Sequence, residues 1–426
     1  MGTGTVELLL DPVGRHPLLQ ELEIYLVGVR SLDKTRAVSL RSGVLTTDLE
    51  AIVTDPDVDI VVEVLGGLEP ARSLILKAIN HGKHVVTANK AVIARYGDEI
   101  FTAANSSGVY VLLEAAVGGG IPVIQPLKQS LSVNRIQAVT GIVNGTTNYI
   151  LTAMQTEGRD FAEVLADAQD RGYAEADPTA DVDGLDAADK IAILASLAFG
   201  GRIKLQDVYC EGIRGVSRAD IAYAQKLGFV IKLLAIAKRE PTHPTNQLQV
   251  RVHPTLVSQS HPLASVSGVY NAILVEGTPI GQVMFFGPGA GAGATASAVV
   301  SDILNIVAVL KTGLNTDQPT GAATTHPLLN CSHQDYCAIA PMAELVTRFY
   351  ARFLTQDSPG VIGKLGTCFG NHGVSLESVV QTGVQDQLAE IVVVTHDVRE
   401  GNFRSSLEEI STLEAVDSIA SLLRVL

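Results

Sequence analysis

Val58-Asp-Ile-Val-Val-Glu-Val-Leu65, followed by Gly66-Gly67, and His84-Val-Val-Thr-Ala88, followed by Asn89-Lys90, are two short β-branched runs that each end in turn or capping residues. Between them, Pro70 to His81 carries apolar residues at helical spacing and stops at Gly82. Strand, helix and strand at this interval imply a right-handed crossover, and so a parallel sheet. The pattern continues on both sides. Glu23 to Arg30 reads as an earlier strand, Ala91 to Ser106 as a second helix stopped by Gly108, and Val109 to Glu114 as the next strand. The fold class is therefore α/β. Nucleotides bind beyond the carboxyl ends of such strands, where Gly66–Gly67, Asn89–Lys90 and Gly118–Gly120 fall.

With 426 residues the chain suits two or three domains. Its formal charge of −14 and pI of about 5.1 argue against nucleic acid as the main partner, because phosphate binding needs a basic surface. The mean hydropathy is +0.26, but apolar stretches such as Leu227 to Ala237 are cut by Lys232 and too short to span a bilayer. The first residues carry Glu7 and Asp11 and no basic run, so no secretory signal is read and a cytoplasmic location is expected. Four cysteines make no disulfide framework in a chain this long. His326, Cys331, His333 and Cys337 match no established zinc spacing, and no cysteine sits in a glycine-framed turn that would mark a catalytic thiol.

The middle of the chain changes character. Arg135 to Val143 reads as a strand leading into Asn144-Gly-Thr-Thr-Asn148, with helices over Tyr149 to Thr156 and Phe161 to Arg171. Strands at Leu248 to Val252 and Ala272 to Glu276 suggest an open mixed sheet with helices on one face. Gly287 to Gly293, including Gly291, is a glycine-rich turn before a small-residue helix, 294–310, expected to pack back on the first domain. The tail reads as two βαβ passes, a ferredoxin-like unit near the minimum size of an independent domain. Its first turn, Asp357-Ser358-Pro359-Gly360, has helix-capping chemistry.

The strongest chemical signal is Gly172-Tyr-Ala-Glu175-Ala-Asp177-Pro-Thr-Ala-Asp181-Val-Asp183-Gly-Leu-Asp186-Ala-Ala-Asp-Lys190. One reading is a helix start with acids on the positive end of its dipole and an Asp186–Lys190 surface pair. The other is a carboxylate–ammonium site for an amino-bearing substrate, formed by Glu175, Asp186 and Lys190, in which a lysine can relay a proton. Asn144 to Asn148 reads either as a helix start capped by Thr146 or Thr147, or as a substrate-cradling loop. Lys90, at the nucleotide edge, is either a solvated helix-start lysine or an ion-pairing and proton-transfer group. Glu114, with the carbonyls of Val117, Gly119 and Ile121, is either an unliganded glycine-rich loop or a site for a hard monovalent cation.

These motifs together closely resemble homoserine dehydrogenase. The blocks Val86-Thr-Ala-Asn-Lys90, Ile142-Val-Asn-Gly-Thr-Thr-Asn-Tyr-Ile150 and Gly172 to Lys190 carry the likeness, which runs from residue 2 to the C-terminus. The resemblance implies a Rossmann-type domain over 1–120, an α+β substrate and dimerisation domain over 121–345, and a C-terminal ferredoxin-like ACT domain over 346–426. It implies reversible NAD(P)H-dependent reduction of aspartate 4-semialdehyde to homoserine by direct hydride transfer. Glu175 and Asp186 would bind the substrate, Lys190 would donate the proton, and Lys90, touching cofactor and substrate, is its rival. The resemblance also implies cofactor contacts at Gly2, Thr3, Arg30, Gly66, Lys90 and Gly291. Glu114, Val117, Gly119 and Ile121 match the family's sodium site. The tail would sense threonine, or else serve dimerisation, in a homodimer or homotetramer. Arg30, with Lys34 and Arg36 close behind, favours the 2′-phosphate of NADP over NAD.

The resemblance departs at the start. The family opens with an apolar strand and a full G-x-G-x-x-G turn, whose last glycine is Gly2 here. A start upstream of Met1 is expected to supply the rest, and without it NADPH binding is expected to be weak. Two readings follow: an active enzyme, or a non-catalytic threonine-binding or assembly subunit. An aspartate-semialdehyde dehydrogenase is disfavoured by the lack of a framed nucleophilic cysteine.

Overall fold

Parallel strands buried on both faces need near-continuous β-branched runs, and the structure places them where those runs lie. The computed structural model describes residues 1–239, 247–312, 326–331, 333, 335–385 and 388–426. The chain divides into two units. The first holds Met1–Val139, Asp189–Leu205 and Val275–Tyr336; the second holds Thr140–Ala188, Gln206–Leu274 and Cys337–Leu426.

In the first unit, Ile60–Glu63, His84–Thr87 and Val111–Leu112 form a parallel three-stranded sheet, linked by helices Ala71–Asn80 and Lys90–Ser107. The expected strand over Glu23–Arg30 shrinks to Val27–Gly28, which pairs in parallel with Leu45–Thr46 as a separate two-stranded sheet. The expected strand over Val109–Glu114 is also shorter, because Glu114 already opens a 3-10 turn.

Helix Gly2–Leu10 packs on helix Ala292–Lys311, and the close approach falls at Gly4: a Cβ there would lie 2.9 Å from the Ala292 carbonyl oxygen. Gly119 has φ +57, and a Cβ there would come within 2.4 Å of the Gly289 carbonyl oxygen, so the two glycine-rich turns touch through bare backbone. Among the described residues, Ala292–Lys311 alone is long and apolar enough to cross a membrane. Its Val299, Ile303 and Ile306 are packed with Val86, Tyr110 and Leu112 in the core of this unit.

The second unit is built on a mixed sheet in the order Tyr270–Thr278, Arg135–Ile142, Phe229–Arg239, Leu248–Ser258, Val416–Val425, Val346–Gln356, Leu388–Thr395, Leu376–Gln385. The first two of these strands carry the chain across the unit boundary. Strand Phe229–Arg239 takes up most of the apolar run Leu227 to Ala237, which is too short to span a bilayer. Val230 to Ala237 are all buried, which explains why the run is apolar apart from Lys232. Lys232, 2% exposed, donates from Nζ to the Val266 carbonyl (2.6 Å) and to Asn148 Oδ1 (3.2 Å), and burial pushes its pKa down to about 8.

The tail has the expected ferredoxin-like order, an antiparallel sheet with helices Val361–Asn371 and Glu400–Ser411. Phe349, Phe353, Phe369 and Phe403 fill its core, each contributing about 1.5–3 kcal/mol by burial. Two expectations change. The helix after Asp357–Gly360 has no side-chain cap; Gly360 takes the N-cap at φ +89. Nor does the tail stand apart, since Val416–Val425 also pairs in parallel with Leu248–Ser258. Its polar side adds two buried ionic clusters. Arg424 pairs with Glu400 (2.6 Å) and Glu211 (2.9 Å), and Arg352 pairs with Asp220 (2.9 Å) and Glu390 (2.8 Å).

Candidate active site

The carboxyl ends of the neighbouring strands Ile60–Glu63 and His84–Thr87 are laced by side chains. Glu63 accepts from the amides of Leu65 (2.8 Å) and Gly66 (3.4 Å) and from the Thr87 hydroxyl (2.6 Å). Thr87 Oγ1 accepts from the Asn89 amide (3.0 Å), and Asn89 Nδ2 donates to the Gly67 carbonyl (2.8 Å). Asn89 also caps the helix that Lys90 opens, its Oδ1 accepting from the Val92 amide. Gly66 and Gly67 both have positive φ. The first turn of helix Gly2–Leu10 lies beside this edge, where a Cβ on Gly2 would sit 3.6 Å from Val64. The unpaired amides of a helix start at such an edge suit an anionic phosphate group. Gly291, at φ +120, is the N-cap of helix Ala292–Lys311.

Arg30 is exposed and lies two residues beyond its strand, which ends at Gly28. Arg36 is turned inward to its own loop, donating to the carbonyls of Lys34 (2.8 Å), Leu32 and Ser31. Of the basic trio, Arg36 is therefore spent on folding the loop.

Glu114 is buried, and its carboxylate accepts the amides of Val123 (2.6 Å), Ile124 (2.8 Å) and Gln125 (2.8 Å). Those bonds brace the loop that holds Val117, Gly119 and Ile121. Burial pushes the Glu114 carboxyl up. Asp302, which accepts from the Glu114 amide at 2.7 Å, is pushed up to about 7, chiefly by burial. Neither Asp302 nor its contact with Glu114 was visible in sequence, being 188 residues apart. At the His326–Cys337 stretch, Cys331 Sγ and His333 Nδ1 lie 3.6 Å apart, and no group of three or more metal-ligating side chains is gathered among the described residues.

Helix Leu185–Phe199 carries Asp186 in the second unit and, one turn on, Lys190 in the first. Lys90 and Lys190 are both half-buried. Within the first unit, Arg95 of the Lys90 helix binds Asp189, the residue before Lys190, at 2.9 Å.

The acids of the second unit are sorted rather than pooled. Asp186 is buried, and Asn144 Nδ2 donates to it (2.8 Å) and to Asp181 (2.7 Å). Asp183 pairs with Arg214. Asp177 accepts from the Thr179 amide, and its contacts with Thr179 pull its pKa down. Glu175 is exposed, and its carbonyl accepts from Gln169. The Asn144–Asn148 block is a helix start, but Asn144 itself is the cap of helix Gly145–Glu157, accepting from the Thr147 amide at 2.9 Å. Thr146 and Thr147 belong to the first turn, and Thr146 donates to the Tyr173 carbonyl (2.6 Å).

A parallel nucleotide edge, a lysine at that edge and an acid-bearing helix define a nicotinamide-dinucleotide-dependent oxidoreductase. Family models agree segment by segment. Residues 1–114 match the homoserine dehydrogenase NAD-binding domain, 122–304 homoserine dehydrogenase, and 349–415 the ACT domain. The chain is 68% identical to a Synechocystis homoserine dehydrogenase over 426 residues, covering 100% of this chain and 97% of that one; for the Bacillus subtilis enzyme the figures are 39%, 100% and 96%. A solved homoserine dehydrogenase from Thiobacillus denitrificans superposes with a TM-score of 0.88 at 39% identity, covering 100% of this chain and 95% of the other. A hyperthermophilic archaeal homoserine dehydrogenase in complex with NADPH matches 59% of this chain and 72% of its own, with a TM-score of 0.51 at 31% identity. The chain belongs to the homoserine dehydrogenase family. It is an oxidoreductase of amino-acid biosynthesis that interconverts aspartate 4-semialdehyde and homoserine with a nicotinamide cofactor, and the non-catalytic reading is not favoured.

Proposed function

We propose that Lys190 is the proton donor to the aldehyde oxygen and that Asp186 and Glu175 hold the hydroxyl and amino ends of the substrate. The single observation behind this reading is the placement of Asp186 and Lys190 one turn apart on one helix, with Asp186 oriented by Asn144. When bound, the reduced nicotinamide supplies the hydride. Lys190 supplies the balancing proton, and Lys90, opening its helix at the nucleotide edge, contacts cofactor and substrate. NADP is the preferred form, with Arg30 meeting the 2′-phosphate, and Gly2, Thr3, Gly66 and Gly291 lie along the cofactor. A sodium ion held by Glu114 and the carbonyls of Val117, Gly119 and Ile121 would tie the glycine-rich loops.

Threonine is the effector we assign to the ACT domain, and the working form is a cytoplasmic homodimer or homotetramer. Lys190→Ala is expected to lower kcat by orders of magnitude at little change in cofactor affinity. A near-normal rate would move the proton to Lys90. Threonine inhibition is tested on the intact chain, because the tail shares its last strand with the substrate domain and cannot be cut away cleanly.

A further inference from the structure

Asn144 follows the strand Arg135–Ile142 and is 5% exposed. Its Oδ1 accepts from the Thr147 amide (2.9 Å) and the Thr147 hydroxyl (3.0 Å), which fixes the amide's orientation: oxygen toward the helix, nitrogen away. The two hydrogens of Nδ2 are then spent on two different acids, Asp181 Oδ1 at 2.7 Å and Asp186 Oδ2 at 2.8 Å. The backbone beside it is closely packed, since a Cβ on neighbouring Gly145 would come within 2.8 Å of the Val269 carbonyl oxygen. One side chain thus caps a helix, fixes the spacing of two like charges and sets which oxygen of each carboxylate faces elsewhere.

We propose that Asn144 is a positioning residue for the reaction, acting through Asp186 and Asp181 rather than by touching the reacting atoms. The proposal rests on the substrate-binding role given above to Asp186. A misplacement of about 1 Å at a reacting centre costs about 100-fold in rate, and the carboxylates lose their common donor when Asn144 is replaced.

The test uses Asn144→Ser and Asn144→Asp in the full chain, with homoserine and NADP as substrates. Serine is a good N-cap, so a purely structural role as a cap predicts near-normal kcat/KM for Asn144→Ser, whereas Asn144→Asp keeps a cap but adds a third carboxylate to the cluster. The positioning role predicts about 100-fold lower kcat/KM in both, with thermal stability and cofactor affinity of Asn144→Ser near those of the parent. It also predicts that Asn144→Asp recovers activity relative to the parent as pH falls, because a third carboxylate in the cluster must take up a proton before it can donate. Near-parental kcat/KM in either variant overturns the proposal. Asp186→Asn separates the two layers. Impaired Asp186→Asn with normal Asn144→Ser removes only the positioning role, whereas normal Asp186→Asn removes the substrate role on which it rests.

Discussion

Replacing Arg352 by methionine should destabilise the second unit by about 3–5 kcal/mol, the usual cost of stranding a buried charge. Arg352 is 5% exposed and donates to Asp220 (2.9 Å), Glu390 (2.8 Å) and the Ser217 hydroxyl (3.0 Å). Asp220 is fully buried and Glu390 is 8% exposed, so the loss leaves two carboxylates without their cation. They are not wholly abandoned. Asp220 keeps the Ser217 amide (3.0 Å) and hydroxyl (2.6 Å) and the Tyr350 hydroxyl (3.2 Å), and Glu390 keeps the Tyr223 hydroxyl. The expected value therefore lies toward 3 kcal/mol, read as a lower midpoint in urea at unchanged slope. Arg352→Met combined with Asp220→Asn and Glu390→Gln removes the stranded charges and should restore at least half of the loss. A loss below about 1 kcal/mol for the single variant, or no recovery in the triple, would refute the claim that buried charge balance holds this seam.

Gly212→Ala should raise KM for homoserine and cost about 1–3 kcal/mol of stability, because the new Cβ would fall 2.2 Å from the Val182 carbonyl oxygen and 2.4 Å from Asp183 Cα, on the segment leading to Asp186; unchanged KM and unfolding midpoint would contradict it. Asp302, a carboxyl raised from 3.8 to about 7, contributes stability that is complete below pH 4 and lost as pH climbs through 7. Asp302→Asn should flatten that dependence and leave the variant more stable than the parent at pH 8; parallel melting curves against pH would rule this out. Arg30→Ala should weaken NADPH about tenfold and leave NADH unchanged, measured by fluorescence titration; equal losses for both would remove Arg30 from cofactor choice.

Elements whose burial is one-sided or complete over a whole run were readable from sequence. The helices Ala71–Asn80 and Lys90–Ser107 and the strand His84–Thr87 fall within a residue or two of their expected bounds, because Gly82, Gly108 and Asn89 punctuate them. Val27–Gly28 fell short of its expectation because strand length depends on neighbours that local patterning does not contain. Phe229–Arg239 escapes local patterning for the opposite reason: buried on both faces, it has no alternation to detect. In the site, the residue types were legible and their wiring was not. Spacing grouped the acids from Glu175 to Asp186, but only tertiary geometry separates exposed Glu175 from Asp181 and Asp186 on Asn144, or shows Arg95 meeting Asp189 from 94 positions away.

The strand Val416–Val425 has a consequence for how the chain is made. Leu248–Ser258 is bonded on one side to Phe229–Arg239, its neighbour in synthesis, and on the other to a strand that leaves the ribosome more than 150 residues later. Tyr209–Cys210, made earlier, already pairs with Arg251 and Val252 on that side, so what stays open until then is the stretch at Thr255 and Leu256, an edge of the sort that recruits strands from other nascent chains. Closure of that part of the edge therefore waits for the effector-type domain, and a translation pause before residue 416 would prolong its exposure.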